Sequence, residues 1–203
     1  MSGAGISAPD GATDAEAAAE LAPLFEGAPA FLARVVAARP FGSWDRLFER
    51  ARAIAHAMPE REQVELIDAH PRLGAPPAAV SAMSYREQGY DREAEPGTTD
   101  ADAGRDLAAT LARLNEEYES TFGFRYCVFV AGRSREELLP AMEAALAADR
   151  EAELHRALDA VVDIAHDRQR TRGQTSADEA GSGPPALAGV PAGSTAASPR
   201  TPT

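Results

Sequence analysis

The chain has 203 residues, 44% of them hydrophobic, and a formal net charge of −12. That is enough apolar material for one ordinary domain, and the wrong sign for nucleic acid or an anionic membrane, where phosphate repels excess carboxylate. One cysteine, Cys127, excludes an internal disulfide and every multi-cysteine zinc pattern, and because all 20 basic residues are arginine a lysine Schiff base and ordinary pyridoxal phosphate chemistry are closed.

In chain order, residues 1–13 are rich in Gly, Ser, Ala and Asp and are expected to be a disordered tail. Trp44, Leu47, Phe48, Ala51, Ile54, Ala55 and Met58 follow the three-and-four spacing of one helix face, with Ser43 as N-cap. Pro59 restarts the chain into a second helix, to about Ala69, on Val64, Leu66 and Ile67. A residue before proline is disfavoured in helical geometry, which places His70, before Pro71, at or just beyond that helix's end. Leu107, Leu111, Leu114 and Tyr118 predict a long helix from about Asp102 to Thr121, ended at Phe122-Gly123-Phe124. The run Tyr126 to Val130 has strand composition and could equally be buried helix. Ser134 with Glu137 reads as a capping box before Leu138, Leu139, Met142 and Leu146. A last helix from about Arg150 to Arg170 buries Leu154, Leu158, Val161 and Ala165. From about Gly173 to Thr203 large apolar residues are almost absent, predicting a second disordered tail around a single domain at 14–172. The fold class expected is an all-α, single-domain helical bundle. No apolar run reaches the roughly 20 residues of a membrane span, and no basic region precedes an apolar stretch at the N-terminus, so the protein is read as cytoplasmic.

Two polar clusters, His70-Pro71-Arg72-Leu73-Gly74 and Ser84-Tyr85-Arg86-Glu87-Gln88, gather an imidazole, a carboxylate and a carboxamide in one irregular stretch. His70 titrates near neutrality and suits proton transfer; a histidine before proline is also a common cap or core residue. Glu87 and Gln88 supply acceptor and donor-acceptor groups for an amide-like or ureido ligand, while Ser84 with Glu87 reads equally as a helix capping box. Arg133 could hold a carboxylate, and Arg168 sits where its charge suits a helix C-terminus. His56, His155 and His166 match no paired-histidine metal motif, and Cys127 reads as an inert core thiol, so no metal is expected.

The order of these motifs resembles one family, the decarboxylases of 2-oxo-4-hydroxy-4-carboxy-5-ureidoimidazoline (OHCU). The likeness spans Arg39-Pro40-Phe41, His-Pro-x-Leu-Gly at 70–74, Ser-x-x-Glu-Gln at 84–88, Asn115-x-x-Tyr118 leading into Phe122-Gly123-Phe124, and Gly132-Arg133. The resemblance implies an all-α fold, usually a homodimer, acting on a small-molecule substrate without a cofactor to give (S)-allantoin and carbon dioxide. It makes His70 the essential acid-base residue, sharing proton handling with Glu87. Substrate contacts then fall to Pro71, Ser84, Gln88 and the backbone of Cys127, Val128, Phe129, Val130 and Ala131, with Arg133 beside them. The chain departs from the common pattern at Tyr90, Arg125 and Tyr126, and at Ala160 and Asp163 of the last helix. A relative acting on another ureido or imidazoline compound is therefore one alternative. A non-catalytic helical module is the other, and it predicts a solvated surface at 84–88 with no cavity beside His70.

Overall fold

A computed structural model describes residues 9–90 and 101–181. Its helices are α1 (Asp14–Leu21), α2 (Pro29–Ala37), α3 (Trp44–Ala57), α4 (Glu60–Asp68), α5 (Ala82–Glu87), α6 (Ala101–Phe122), α7 (Arg135–Ala145) and α8 (Arg150–Gly181), with 3-10 turns at Pro9–Gly11 and Pro77–Ala79. Among the described residues there is no strand.

The helices form where periodicity and caps coincide. In α3 the Ser43 hydroxyl accepts the Arg46 N–H at 3.3 Å, and Leu47, Phe48, Ala51 and Ala55 recur on the buried face. Helix α7 starts from a complete capping box between Ser134 and Glu137, which satisfies two orphan donors of the first turn. Helix α8 is the spine, with α3 and α4 packed on it, α2 contacting α1, α3 and α4, and α6 contacting α7. Leu154, Leu158, Val161 and Ala165 of α8 are buried, as expected for its inward stripe. Tyr118, Phe122, Phe124 and Tyr126 form an aromatic group at the end of α6, with ring centroids of successive contacts at 4.5 to 6.0 Å.

Four expectations are corrected. Residues 9–13, assigned to the N-terminal tail, are ordered. The Asp10 carboxylate accepts the N–H groups of Phe41 and Gly42, and Arg39 donates to the carbonyls of Pro9 and Ala12 at 2.9 and 2.6 Å and pairs with Asp14. These polar ties to a distant loop add to the burial of Pro9 and the packing of Ala12 on the core. Secondly, α8 does not stop near Arg170 but runs to Gly181, past the expected boundary at Gly173, because extending a nucleated helix costs far less than starting one. The rest of the expected C-terminal tail, 182–203, and residues 1–8 lie outside the described residues. Thirdly, Ser84 does not cap a helix. Ser81 is the N-cap of α5, accepting the Ser84 N–H at 3.2 Å. Lastly, Tyr126 to Val130 is neither strand nor helix but an irregular segment, three of whose carbonyls are taken by arginines: Cys127 by Arg156 at 2.8 Å, Phe129 and Val130 by Arg133 at 2.6 and 3.0 Å.

Candidate active site

Helix α4 ends at Asp68, and the His70 N–H closes its last turn on the Ile67 carbonyl at 3.1 Å. The imidazole turns inward and is only 4% exposed. Its Nδ1 faces the Leu66 carbonyl at 3.4 Å. A carbonyl only accepts, so this contact places the proton on Nδ1 and leaves the lone pair on Nε2. Nε2 is buried with no protein partner among the described residues, and an orphaned buried polar atom costs roughly 1–3 kcal/mol unless something completes it. Burial first, and the nearby Arg168 cation second, push the imidazole down to about 4, against the opposing pull of Glu26 and the Leu66 carbonyl. His70 is therefore neutral at physiological pH, with a free lone pair.

Beside it lies a cavity of about 30 Å³ lined by His70, Pro71, Leu73, Ser84, Tyr126, Cys127, Val128 and Ile164. It shares Val128 and Ile164 with a larger pocket of about 430 Å³, whose walls are Glu87, Gln88, the 128–132 segment and Asp167. This cavity, and the burial of Ser84 and Gln88, are the reverse of what the non-catalytic module predicts.

Arg168, its side chain 1% exposed, bonds the wall residues Glu87 and Ser84. It holds Glu87 through two parallel bonds, Nε to Oε1 at 2.5 Å and Nη2 to Oε2 at 2.7 Å, the fork geometry that a guanidinium matches to a carboxylate. The same Nη2 reaches Glu26 at 2.8 Å and the Ser84 hydroxyl at 3.0 Å, and Nη1 donates to the Pro23 and Leu24 carbonyls. Glu26 also accepts the hydroxyls of Ser84 and Ser81 at 2.7 and 2.9 Å. Burial works to raise the Glu26 carboxyl, but Arg168 and these hydroxyls outweigh it and hold it below the usual range.

The expected site residues divide by what their polar atoms already do. Pro71 and Val128 line cavity walls, as do Phe129, Val130 and Ala131 in the larger pocket. Ser84 is committed to Glu26 and Arg168. Gln88 also lines the larger pocket, while its carboxamide clamps the His70 loop, accepting the Gly74 N–H at 2.8 Å and donating to the Arg72 carbonyl at 3.2 Å. Arg133 is exposed and turned onto the carbonyls of its own loop, where Ala131 and Gly132 both have left-handed backbone (φ +52° and +76°). An alanine there costs about 1–2 kcal/mol, which the Arg133 bonds to the adjoining carbonyls help offset. The Cys127 thiol is buried and pushed up to about 12 by desolvation, as an inert core thiol should be. Among the described residues no group of three His, Cys, Asp or Glu side chains could hold a metal ion.

Sequence reasoning underweighted Arg168 and missed Glu26 and Asp167. The signal for Arg168 was present: it continues the buried register of Leu154, Leu158, Val161 and Ala165, so a charge falls on an apolar stripe. Glu26 carried no such mark, since it reaches the site from a turn in which its own φ is +51° and Gly27 follows at +77°. Of the three departures nearest the site, Tyr126 lines the small cavity. Tyr90 donates to the Ala75 carbonyl under the Arg135 guanidinium, and Arg125 binds backbone.

The profile of the OHCU decarboxylase family matches residues 10–170. The chain belongs to the OHCU decarboxylase family. Its relatives include the uric acid degradation bifunctional protein PucL of Bacillus subtilis, 32% identical over 148 residues, 73% of this chain and 28% of that protein. The chain thus spans little more than a quarter of that two-function relative. The 2-oxo-4-hydroxy-4-carboxy-5-ureidoimidazoline decarboxylase of Haloferax volcanii is 29% identical over 150 residues, covering 73% of this chain and 84% of its own length. A crystal structure of an OHCU decarboxylase obtained in the presence of (S)-allantoin superposes with a TM-score of 0.59 at 22% identity, over 76% of this chain and 97% of the other. An (S)-allantoin synthase structure gives 0.54 at 21% identity, over 79% and 50%. These two likenesses show that the OHCU decarboxylase fold is shared.

Proposed function

We propose that this chain is a cofactor-independent carboxy-lyase that converts OHCU to (S)-allantoin and carbon dioxide in urate catabolism. Family membership supports the reaction. The observation that carries the site is a buried, neutral imidazole with an unpartnered nitrogen, lining a small cavity that shares Val128 and Ile164 with the pocket bordered by Glu87.

In OHCU the carboxylate sits on a ring carbon that also bears a hydroxyl and adjoins a C=N carbon carrying the ureido group. When carbon dioxide leaves, the C–C bonding pair moves into that C=N unit, giving an enol with negative charge on the ring nitrogen, which takes a proton from water. His70 Nε2 accepts the enol hydroxyl proton as the carbonyl forms and returns it to the ureido-bearing carbon. Proton and electron counts close without an electron sink, and delivery from the single wall that holds His70 sets one stereoisomer. The lining of Pro71, Leu73, Val128 and Ile164 offers a carboxylate little solvation, which favours dispersing its charge into departing carbon dioxide.

In the same proposal Arg168 supplies a fixed positive field for the electron-rich intermediate. Glu87, with both oxygens on that guanidinium, acts through its remaining lone pairs as acceptor for ureido N–H groups and shares the proton network with His70. Ser84 and Gln88 hold the acid-base loop at the pocket, Pro71 shapes the cavity, and Arg133 shapes the segment whose N–H groups, from Cys127 to Ala131, bind ring and ureido oxygens. The family likeness further supports a homodimer in the cytoplasm, and among the described residues no helix is long and apolar enough to cross a membrane. Sedimentation over a range of concentrations tests the dimer.

The deciding experiment follows freshly generated OHCU by circular dichroism of the product, with and without a chelator. Chelator-insensitive formation of (S)-allantoin, reduced to the spontaneous rate in His70→Ala, is the expected result. A wild-type rate equal to the spontaneous one overturns the assignment.

A further inference from the structure

Among the described residues, one residue holds the backbone of His70 from outside its own helix. The loop that follows is tied at several points: Gln88 takes Gly74 and Arg72, Asn115 donates to the Leu73 carbonyl at 2.9 Å, and Arg72 pairs with Glu119 at 2.5 Å. At residue 70 the bonds among the described residues are its own N–H to Ile67, the long ring contact to Leu66, and one from Arg125, whose Nη1 donates to the His70 carbonyl at 2.9 Å. The same Nη1 donates to the Asp68 carbonyl at 2.6 Å, and the Arg125 backbone N–H donates to the Asp68 carboxylate at 2.9 Å.

Two physical needs meet there. The last carbonyls of α4 lack intrahelical partners, and a guanidinium satisfies them while its charge complements the negative end of the helix. Pro71 has no N–H, so the chain cannot turn back and bind itself at that point. Arg125 directly precedes Tyr126, Cys127 and Val128, which face His70 across the small cavity. One side chain therefore joins the wall that carries the imidazole to the wall opposite.

We propose that Arg125 is a positioning residue for the reaction, its guanidinium setting the separation between the His70 imidazole and the Tyr126–Val128 wall. This rests on the proposed decarboxylase reading for its consequence on rate. Arg125 touches no reacting atom. A base displaced by about 1 Å loses roughly 100-fold in rate, so its loss acts on turnover more than on substrate binding.

The test uses the full chain and two variants, Arg125→Leu and Arg125→Lys, with two measurements. The first is kcat and KM for OHCU. The second is the NMR titration of the His70 imidazole, assigned by its absence in His70→Asn, which needs no activity. The charged and titratable groups around His70 are Arg168 on α8, Glu26 in the turn after α1, Glu87 on α5, Tyr126 and Cys127 on the facing segment, and Asp68 at the end of α4. Neither variant alters any of them; Arg125→Leu also removes the Arg125 cation itself, whereas Arg125→Lys keeps it, so a titration moved in the lysine variant reports a changed cavity.

The expected result for Arg125→Leu is a fall in kcat of about 10- to 100-fold, with KM within about threefold. The imidazole midpoint should rise from about 4 towards the ordinary value near 6.5 as water enters. Arg125→Lys, which keeps the cation and its N–H donors but not the planar, fixed geometry of a guanidinium, should recover part of both effects. It carries the test by itself if the leucine variant does not fold. A folded variant with kcat within about twofold of wild type and an unmoved imidazole overturns the inference. If wild type fails to turn over OHCU while the imidazole of the variants moves, the decarboxylase reading falls and the positioning of His70 by Arg125 stands.

Discussion

Helix α8 takes part in two clusters of the same stoichiometry, one guanidinium with two carboxylates. Towards its N-terminal half, Arg52 of α3 donates to Asp159 and Asp163, each at 2.6 Å, with side chains 38%, 45% and 48% exposed. Further along, Arg168 holds Glu26 and Glu87 with side chains 1%, 14% and 26% exposed. In water, charges a few ångströms apart interact by about 1 kcal/mol, and several times more strongly where the surroundings are poorly polarisable. The first cluster is thus a surface brace of small effect. The second is buried beside His70, whose imidazole is lowered by burial first and by Arg168 second, against Glu26, and its residues Glu87 and Ser84 line the two cavities of the site.

The largest expected effect sharpens that contrast directly. Arg168→Ala leaves two carboxylates in the interior without their cation and should cost about 3–5 kcal/mol in urea unfolding, a large part of a domain's total stability. Arg52→Ala should cost no more than about 1 kcal/mol, and equal costs would erase the distinction.

Next comes pH. The folded His70 sits near 4, below its unfolded value near 6.5, so the unfolded chain binds the extra proton first. The contribution of neutral His70 is complete above pH 6.5 and is lost as pH falls towards 4, with a ceiling of about 3 kcal/mol. His70→Asn should flatten that part of the stability curve. If wild type and His70→Asn lose stability in parallel through this window, the imidazole is not desolvated as described. In the proposed reaction the same protonation governs turnover: below about pH 4 Nε2 has no lone pair, so the acid limb of kcat/KM should fall there and not near 6.5.

The smallest effect is that of salt. The cost of Arg52→Ala should vanish towards 1 M NaCl, where the screening length is about 3 Å, while that of Arg168→Ala should persist. A salt-sensitive Arg168 would mean that water reaches the buried cluster.

Much of the scaffold was legible in the sequence because it rests on local rules. The Ser43 cap, the Ser134 and Glu137 box, the stop after Phe122 and the placing of His70 just beyond α4 each depend on residues within one or two turns. Helix α5 shows where local rules run out. Ser81 and Ser84 both offer hydroxyls at cap spacing and both donate to Glu26, far upstream in the chain, while the Ser81 oxygen also accepts the Ser84 N–H and caps the helix. The same holds for Gln88 and Arg133, whose chemistry suits a ligand equally well but whose polar atoms close onto nearby backbone. Tyr126 to Val130 misled differently: β-branched and aromatic composition reports burial against neighbours more than sheet pairing, and here arginines serve the carbonyls that a second strand would have taken.

Arg168 bonds to residues 23, 24, 26, 84 and 87, so its partners all leave the ribosome long before it does. Until the last helix emerges, Glu26 and Glu87 lack their counter-cation and His70 lacks a neighbour that keeps it neutral. The proposed site is therefore completed in one late event of synthesis, and a nascent chain ending at Ile164 would carry His70 without the buried charge arrangement around it.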